Sequence, residues 1–485
     1  MDRFAADDGP PAPGALADAE EASPTAVAPA ALLDAVFAAL NTTGVRWLVL
    51  RGDADTLARG GDIDLLVDPG AIGRVDAALL PLGFAVVPSA GRGSHHFLLG
   101  YDEAARAWVR LDFTDRVEFG RHQGLPSKVA SELLARRIRV GDHYCLSAED
   151  AFWHLLLHRL LGGRAIGSDD LVRLSQQAQV AGPLADLVDE ASRPATSSAQ
   201  LLDLVLRREW RHLDALRPVL VRTWRRNRLG PHVVARVRNA ADRVRHAACA
   251  VARPTGISVA IIGPDGAGKT TLAEGLRTTL PFPSSYVYMG VWREYPWDRW
   301  LRYLPGARLT QRMLRLLARS AQGWLQRARG RVVLLDRFTY DVLLPSPVLD
   351  RRGRMTVALV RRVGTEPQLV LVLDAPAEVM FARKGEQGIE ELERRRRSYL
   401  DVARVRDDSA VIDATQPVEA VREEAQGVVW ARLRRHWSGL KLADRTEGRG
   451  RRRWVRTGDG SAGRGSTRTI RARRSQSRRE GPERP

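Results

Sequence analysis

One segment constrains this chain more than any other: Gly263-Pro264-Asp265-Gly266-Ala267-Gly268-Lys269-Thr270, with Thr271 following. It satisfies G-x-x-x-x-G-K-[ST] at every fixed position, and it stands where that pattern has physical meaning, between a buried strand and a helix. Glycines let the backbone curl until its N–H groups and the first turn of the helix point at phosphate oxygens. Lys269 is then expected on the β and γ oxygens of ATP, and the Thr270 hydroxyl in the shell of a Mg²⁺ ion. The lysine carries weight, because only Lys128, Lys269, Lys384 and Lys441 are lysines among 76 basic residues. An ordinary glycine-rich turn has no need of a lysine there in a chain that otherwise uses arginine.

From Gly256 onward, buried-strand signals recur at regular intervals. Ile257 to Ile262, Ser285 to Met289, Val332 to Leu335, Gln368 to Leu373 and Ala410 to Ile412 are five strand candidates separated by helical stretches. Such alternation predicts a parallel α/β sheet with right-handed crossovers. Asp336 falls at the C-terminal end of the third strand, where ligands of open α/β sheets bind. With Thr270 it is the candidate metal-holding residue of this domain.

The segment GPDGAGKTT resembles the phosphate loop of thymidylate kinases, and the resemblance extends beyond it. Asp336-Arg337-Phe338 looks like the family's Asp-Arg-aromatic motif. Leu373-Asp374-Ala375-Pro376, Arg383-Lys384-Gly385 and Arg397-Ser398-Tyr399-Leu400 look like its strand, lid and following helix, and Ile412-Asp413-Ala414 like its last strand and turn near the adenine. The resemblance implies a five-stranded parallel sheet with a helical lid and a nucleoside-monophosphate-kinase-like activity using ATP and Mg²⁺. Lys269, Asp336, Arg337, Arg383 and Lys384 are then the candidate catalytic residues, with a further cation from Arg394 to Arg397. Arg337 and Arg293 are the candidates for the acceptor's phosphate. Arg293-Glu294-Tyr295-Pro296 departs from the family's Arg-Glu-Pro-Gly-Gly at Tyr295 and lacks both glycines, so the acceptor is not fixed as thymidine monophosphate.

The N-terminal third carries a second chemistry-bearing pattern. Gly61-Asp62-Ile63-Asp64-Leu65 sets two acids two residues apart on a strand, hence on one face, where both can hold one divalent metal. Asp112, in Arg110-Leu111-Asp112-Phe113, supplies a third acid. With Leu50-Arg51-Gly52 upstream, this set resembles the nucleotidyltransferase fold over Leu32 to Leu161, although Gly52-Asp53 stands where members usually carry Gly-Ser or Gly-Gly. The resemblance implies that Asp62, Asp64 and Asp112 converge on a metal. His95-His96, and His154 with His158, lack partners at ligand spacing and read as solvated or core histidines.

At 485 residues the chain exceeds one hydrophobic core. The expected organisation is an α/β multidomain protein: a disordered leader at 1–28, a small α+β nucleotidyltransferase-like domain at 29–162, a helical connector at 163–252, the P-loop kinase domain at 253–438 and a disordered basic tail at 439–485. Within the connector, Trp210 to Arg245 reads as a packed helical subdomain with a solvated arginine face, the alternative being a basic amphipathic helix on a membrane surface. The formal charge is +19, and from Lys441 onward fifteen basic residues face five acidic ones. Nucleic acid is therefore the candidate partner of the tail. No apolar run approaches a membrane span, and Cys145 and Cys249 have no CxxC spacing, so a cytoplasmic chain with reduced thiols is expected. Two rival readings stand beside the kinase: a P-loop ATPase or nucleotide-sensing regulator with a degenerate N-terminal module, and a modification or repair factor tethered to nucleic acid by the tail.

Overall fold

A computed structural model describes residues 30–52, 56, 61–88, 95–120, 125–162, 167–177, 182–289, 307–336 and 366–455. The leader at 1–28 and the tail beyond 455 lie outside the described residues. The chain divides into two compact units, Met1–Leu440 and Lys441–Pro485. Of the second unit, residues 441–455 are described, and they are helical.

In the first unit, α1 (Ala30–Thr42) precedes β1 (Trp47–Arg51), β2 (Ile63–Val67) and α2 (Ile72–Leu79). Next come β3 (Ala85–Val86), β4 (His96–Asp102), β5 (Ala107–Thr114), β6 (Glu118–Phe119), β7 (Leu125–Pro126), α3 (Ala130–Ala135), β8 (Ile138–Val140) and β9 (His143–Cys145). A mixed seven-stranded sheet runs β3-β4-β5-β2-β1-β9-β8. The predicted hairpin is present, with Gly100 opposite Val109. Strands β2 and β5 are parallel, and their register puts Asp64 opposite Asp112.

One face of this sheet is covered by α1 and α2, through Val36, Leu40, Val75 and Leu79. The other is covered by helices α4 (Ala148–Gly162), α5 (Ser168–Gln176), α6 (Pro183–Ser192), α7 (Ser198–Leu206) and α8 (Trp210–Asn227). Ser147 caps α4 as its sequence suggests, accepting from the Asp150 N–H at 3.3 Å. Leu213, Leu220 and Trp224 of α8 are buried with Phe152, Trp153 and Leu156 of α4 and with Leu48 and Leu66 of the sheet, so these helices share one core with it. The next helix, α9 (Leu229–Ala252), differs: Val234, Val237, Val244 and Val251 are all exposed.

The second sheet is built from β10 (Ser258–Ile262), β11 (Ser284–Tyr288), β12 (Val332–Asp336), β13 (Leu369–Asp374) and β14 (Ser409–Asp413). Its order is β11-β12-β10-β13-β14 with every pair parallel. The five expected strands are all present, their ends within a residue or two of the apolar runs. Helices α10 (Lys269–Thr279) and α11 (Ala307–Ala328) lie between β10 and β11 and between β11 and β12, α12 (Ala377–Lys384) and α13 (Ile389–Val405) lie between β13 and β14, and α14 (Val418–Val455) follows the last strand. All five residues of β10 are buried, as a strand covered on both faces requires. Each fully buried Val or Ile there contributes about 1.5–3 kcal/mol. This mixed α/β architecture is consistent with a P-loop kinase-like fold, and among the described residues no helix is long and apolar enough to cross a membrane.

The sheets meet through the β4–β5 hairpin. Ala85, Leu99, Tyr101 and Trp108 pack into the core of the second sheet with Trp430 and Trp437 of α14.

Candidate active site

The phosphate loop leaves the C-terminal end of β10, the central strand, and enters α10 at Lys269. Two of its glycines are there for space and backbone sign. Gly263 has φ +149°, and a Cβ would stand 2.8 Å from the Leu373 carbonyl. Gly266 has φ +88°, and a Cβ would stand 2.5 Å from the Met380 carbonyl of α12. Any side chain at Gly266 would force the loop away from that helix.

Lys269 is 9% exposed, and its Nζ donates to the carbonyls of Gly263 and Pro264, both at 2.8 Å, with Asp265 Oδ1 at 3.6 Å. An ammonium taken out of water costs several kcal/mol unless bonded. Here the loop's own oxygens supply the bonds that phosphate oxygens are expected to supply. Thr270 and Thr271 are exposed at the start of α10. Asp265 also accepts from Gln387 Nε2 at 3.1 Å, which ties the segment after α12 to the loop.

Asp336 ends β12, opposite Ile261 in the register with β10. It is 4% exposed. Its Oδ2 accepts from the Tyr286 hydroxyl at 2.6 Å, while Oδ1 is buried and has no hydrogen-bond partner among the described residues. Burial and the Asp336 bond push the Tyr286 phenol well above its ordinary range, so it remains a donor. A buried, half-satisfied carboxylate at a strand end fits a hydrated Mg²⁺ ion, an oxygen-seeking cation that takes one or two carboxylates and draws its other ligands from phosphates and water.

The lid cations are engaged away from the loop. Arg383 donates to the Ala414 carbonyl at 3.0 Å, beside the turn after β14, and Lys384 pairs with Glu386 at 3.0 Å. These two candidate lid cations therefore meet protein oxygens, the Ala414 carbonyl and the Glu386 carboxylate. Arg394 and Arg395 pair with Glu391 and Arg397 with Glu393, one helical turn away. Arg396 instead makes a bidentate pair with Asp374 at the end of β13, at 2.6 and 2.9 Å. Hydrogen bonding to Asp374 raises the Arg396 guanidinium further above its already high range. Arg293 and Arg337, the acceptor candidates, lie outside the described residues.

In the N-terminal sheet the three acids are neighbours, but protein cations compensate them. Asp64 accepts from Arg51 Nε at 2.8 Å and Nη2 at 2.5 Å, and Arg51 also lies 2.6 Å from His158 Nε2. Asp112 bonds His95 Nδ1 at 2.5 Å. Burial works against the His95 imidazolium, but the Asp112 bond and charge outweigh it and hold His95 above its ordinary value. Burial raises Asp62, opposed by the charge of Arg110. Among the described residues no three His, Cys, Asp or Glu side chains form a group able to hold a metal ion. Arg51, Arg110 and His95 place positive charge beside the three acids that the sequence offers as metal candidates. His154 is partly exposed, and desolvation with the Arg51 charge lowers it to about 4.

Tyr286 and Gln387 escaped the sequence reading. A strand tyrosine and a helix-flanking glutamine carry no motif, and only the neighbouring strand or loop reveals what they touch.

No family model matches the chain. It is 30% identical over 210 residues to a thymidylate kinase of Xanthomonas euvesicatoria pv. vesicatoria, which spans 39% of this chain and 89% of that protein. A thymidylate kinase of Xanthomonas campestris pv. campestris is 32% identical over 201 residues, 37% of this chain and 86% of the relative. One from Caulobacter vibrioides is 38% identical over 119 residues, 22% of this chain and 57% of the relative.

Proposed function

The chain belongs to the thymidylate kinase family, and from that premise we propose that it transfers the γ-phosphoryl group of ATP to a nucleoside monophosphate. The observation that carries this reading is the pairing of the phosphate loop with Asp336 on adjacent strands, one Asp336 oxygen buried and without a partner among the described residues. Phosphoryl transfer needs positioning and charge neutralisation more than covalent help. In this reading, the loop N–H groups and Lys269 bind the β and γ phosphates, Lys269 exchanging the carbonyls of Gly263 and Pro264 for phosphate oxygens. Thr270 and Asp336 would hold Mg²⁺, which neutralises charge on the transferred group when bound. Arg337 and Arg293 are assigned to the acceptor by resemblance. The close approach of α12 to Gly266 and the Gln387–Asp265 bond support a lid-side segment that keeps water off the loop, which separates transfer from hydrolysis.

The test is ADP formation from ATP and Mg²⁺ with and without each nucleoside monophosphate. Phosphorylated product accompanying ADP supports the kinase. ADP formed at one rate whatever the acceptor would replace it with an ATPase.

A further inference from the structure

We infer that Tyr286 is a positioning residue for the metal-holding carboxylate of Asp336, a role that rests on the phosphoryl-transfer reading above. Strands β11 and β12 are parallel neighbours, and their register sets Tyr286 opposite Leu334 and Tyr288 opposite Asp336. The Tyr286 side chain therefore reaches forward along the strands to meet the carboxylate two positions on. It packs against the apolar cluster of Ile261, Leu272 and Leu334, on the face that carries α10. That packing holds the ring, and the ring holds the hydroxyl.

The hydroxyl donates to Asp336 Oδ2 at 2.6 Å, within the range of a charge-assisted bond. A carboxylate accepts only, so the donor is the phenol. Asp336 is nearly inaccessible, and its other oxygen has no partner among the described residues. A buried oxygen left unsatisfied costs free energy, which a native structure tolerates where a ligand is to be met. With Oδ2 anchored, rotation about the carboxylate bond is restrained and Oδ1 is held as an acceptor without a partner among the described residues. Outer partners of this kind fix the orientation of a ligating group, and losing one typically weakens metal affinity by about 10- to 100-fold. Phenylalanine at 286 keeps the ring and its packing and removes only the donor, so the variant isolates the bond from the core.

The experiment compares the full-length wild type, Tyr286→Phe and Asp336→Asn. Mn²⁺ binding in the presence of ADP is followed by electron paramagnetic resonance, and ADP binding in EDTA by calorimetry. Tyr286→Phe is expected to weaken Mn²⁺ binding by about tenfold or more, with metal-free ADP affinity unchanged. A purely structural role would lower metal-free ADP affinity to the same degree, and that result overturns the inference. So does unaltered Mn²⁺ affinity in Tyr286→Phe while Asp336→Asn loses it. If Asp336→Asn also binds Mn²⁺ as the wild type does, Asp336 holds no metal, and the site reading fails together with the role of Tyr286.

Discussion

Trp108 of the N-terminal hairpin and Trp430 of the last helix meet edge to face, with ring centroids 5.3 Å apart and planes at 89°. Phe282 stands 5.9 Å from Trp108, and Tyr101 4.7 Å from it on the other side. Aromatic pairs of this geometry add about 0.5–1.5 kcal/mol each beyond the area they bury. The ion pair nearby, Arg106 with Glu423 at 2.8 Å, is 67% exposed on the arginine side, so water screens it. The aromatic cluster, not the ion pair, holds the two sheets together.

Trp108→Ala should therefore lower stability by about 2–3 kcal/mol, somewhat below the cost of emptying a fully buried site. Arg106→Ala should change it by less than about 0.5 kcal/mol. Calorimetry of the full chain checks both. Equal effects from the two variants would contradict the account.

Lys269→Ala should reduce turnover by at least about 100-fold, because it removes a cation aimed at charge that develops during transfer. The fold should survive, since the carbonyls to which Lys269 donates, those of Gly263 and Pro264, belong to its own loop. Circular dichroism and single-turnover ADP formation give the two readouts.

Gly266→Ala combines a positive φ with a Cβ 2.5 Å from a backbone carbonyl, whereas at Gly268 the φ is also positive but the added Cβ meets nothing within 4 Å. The first should cost about 1–3 kcal/mol, the second about 1 kcal/mol. Urea unfolding ranks them, and nucleotide titration should show the larger loss for Gly266→Ala.

His95→Ala leaves the buried Asp112 carboxylate without its partner, and breaking a buried charged pair typically costs about 3–5 kcal/mol. Because the His95 side chain is 23% exposed, the lower end, about 3 kcal/mol, is expected. Asp112→Asn in the same background should recover part of the loss, by removing the stranded charge. A double-mutant cycle by urea unfolding at neutral pH measures both.

His154 gives a pH signature. Its folded value is lowered to about 4, while the unfolded chain titrates near the ordinary 6.5. Above that ordinary value both states are neutral and stability is full. Between the two values the unfolded state takes the proton first, so stability falls as pH falls and levels off below the folded value. By pH 5 this amounts to about 2 kcal/mol. Urea unfolding at pH 7.5 and 5.0 should show the wild type losing that much more than His154→Phe.

The phosphate loop, its strand and helix, and the five strands of the second sheet could be read directly from the chain. Each is encoded by contiguous residues: a motif of eight, or an apolar run bounded by breakers. Parallel pairing followed from their alternation with helices, and the kinase relationship from motifs in their order. What each polar side chain touches could not be read this way. Asp336 meets Tyr286 fifty positions earlier, Arg396 meets Asp374 across a helix, Asp112 meets His95 across a hairpin, and Trp108 meets Trp430 from the other end of the chain. The same tertiary contacts set Arg51, Arg110 and His95 beside Asp64, Asp62 and Asp112. Periodicity reports which face of an element is apolar, but a charge settles on whichever opposite charge the register and packing of distant segments bring within bonding distance, and that is decided only when the elements assemble.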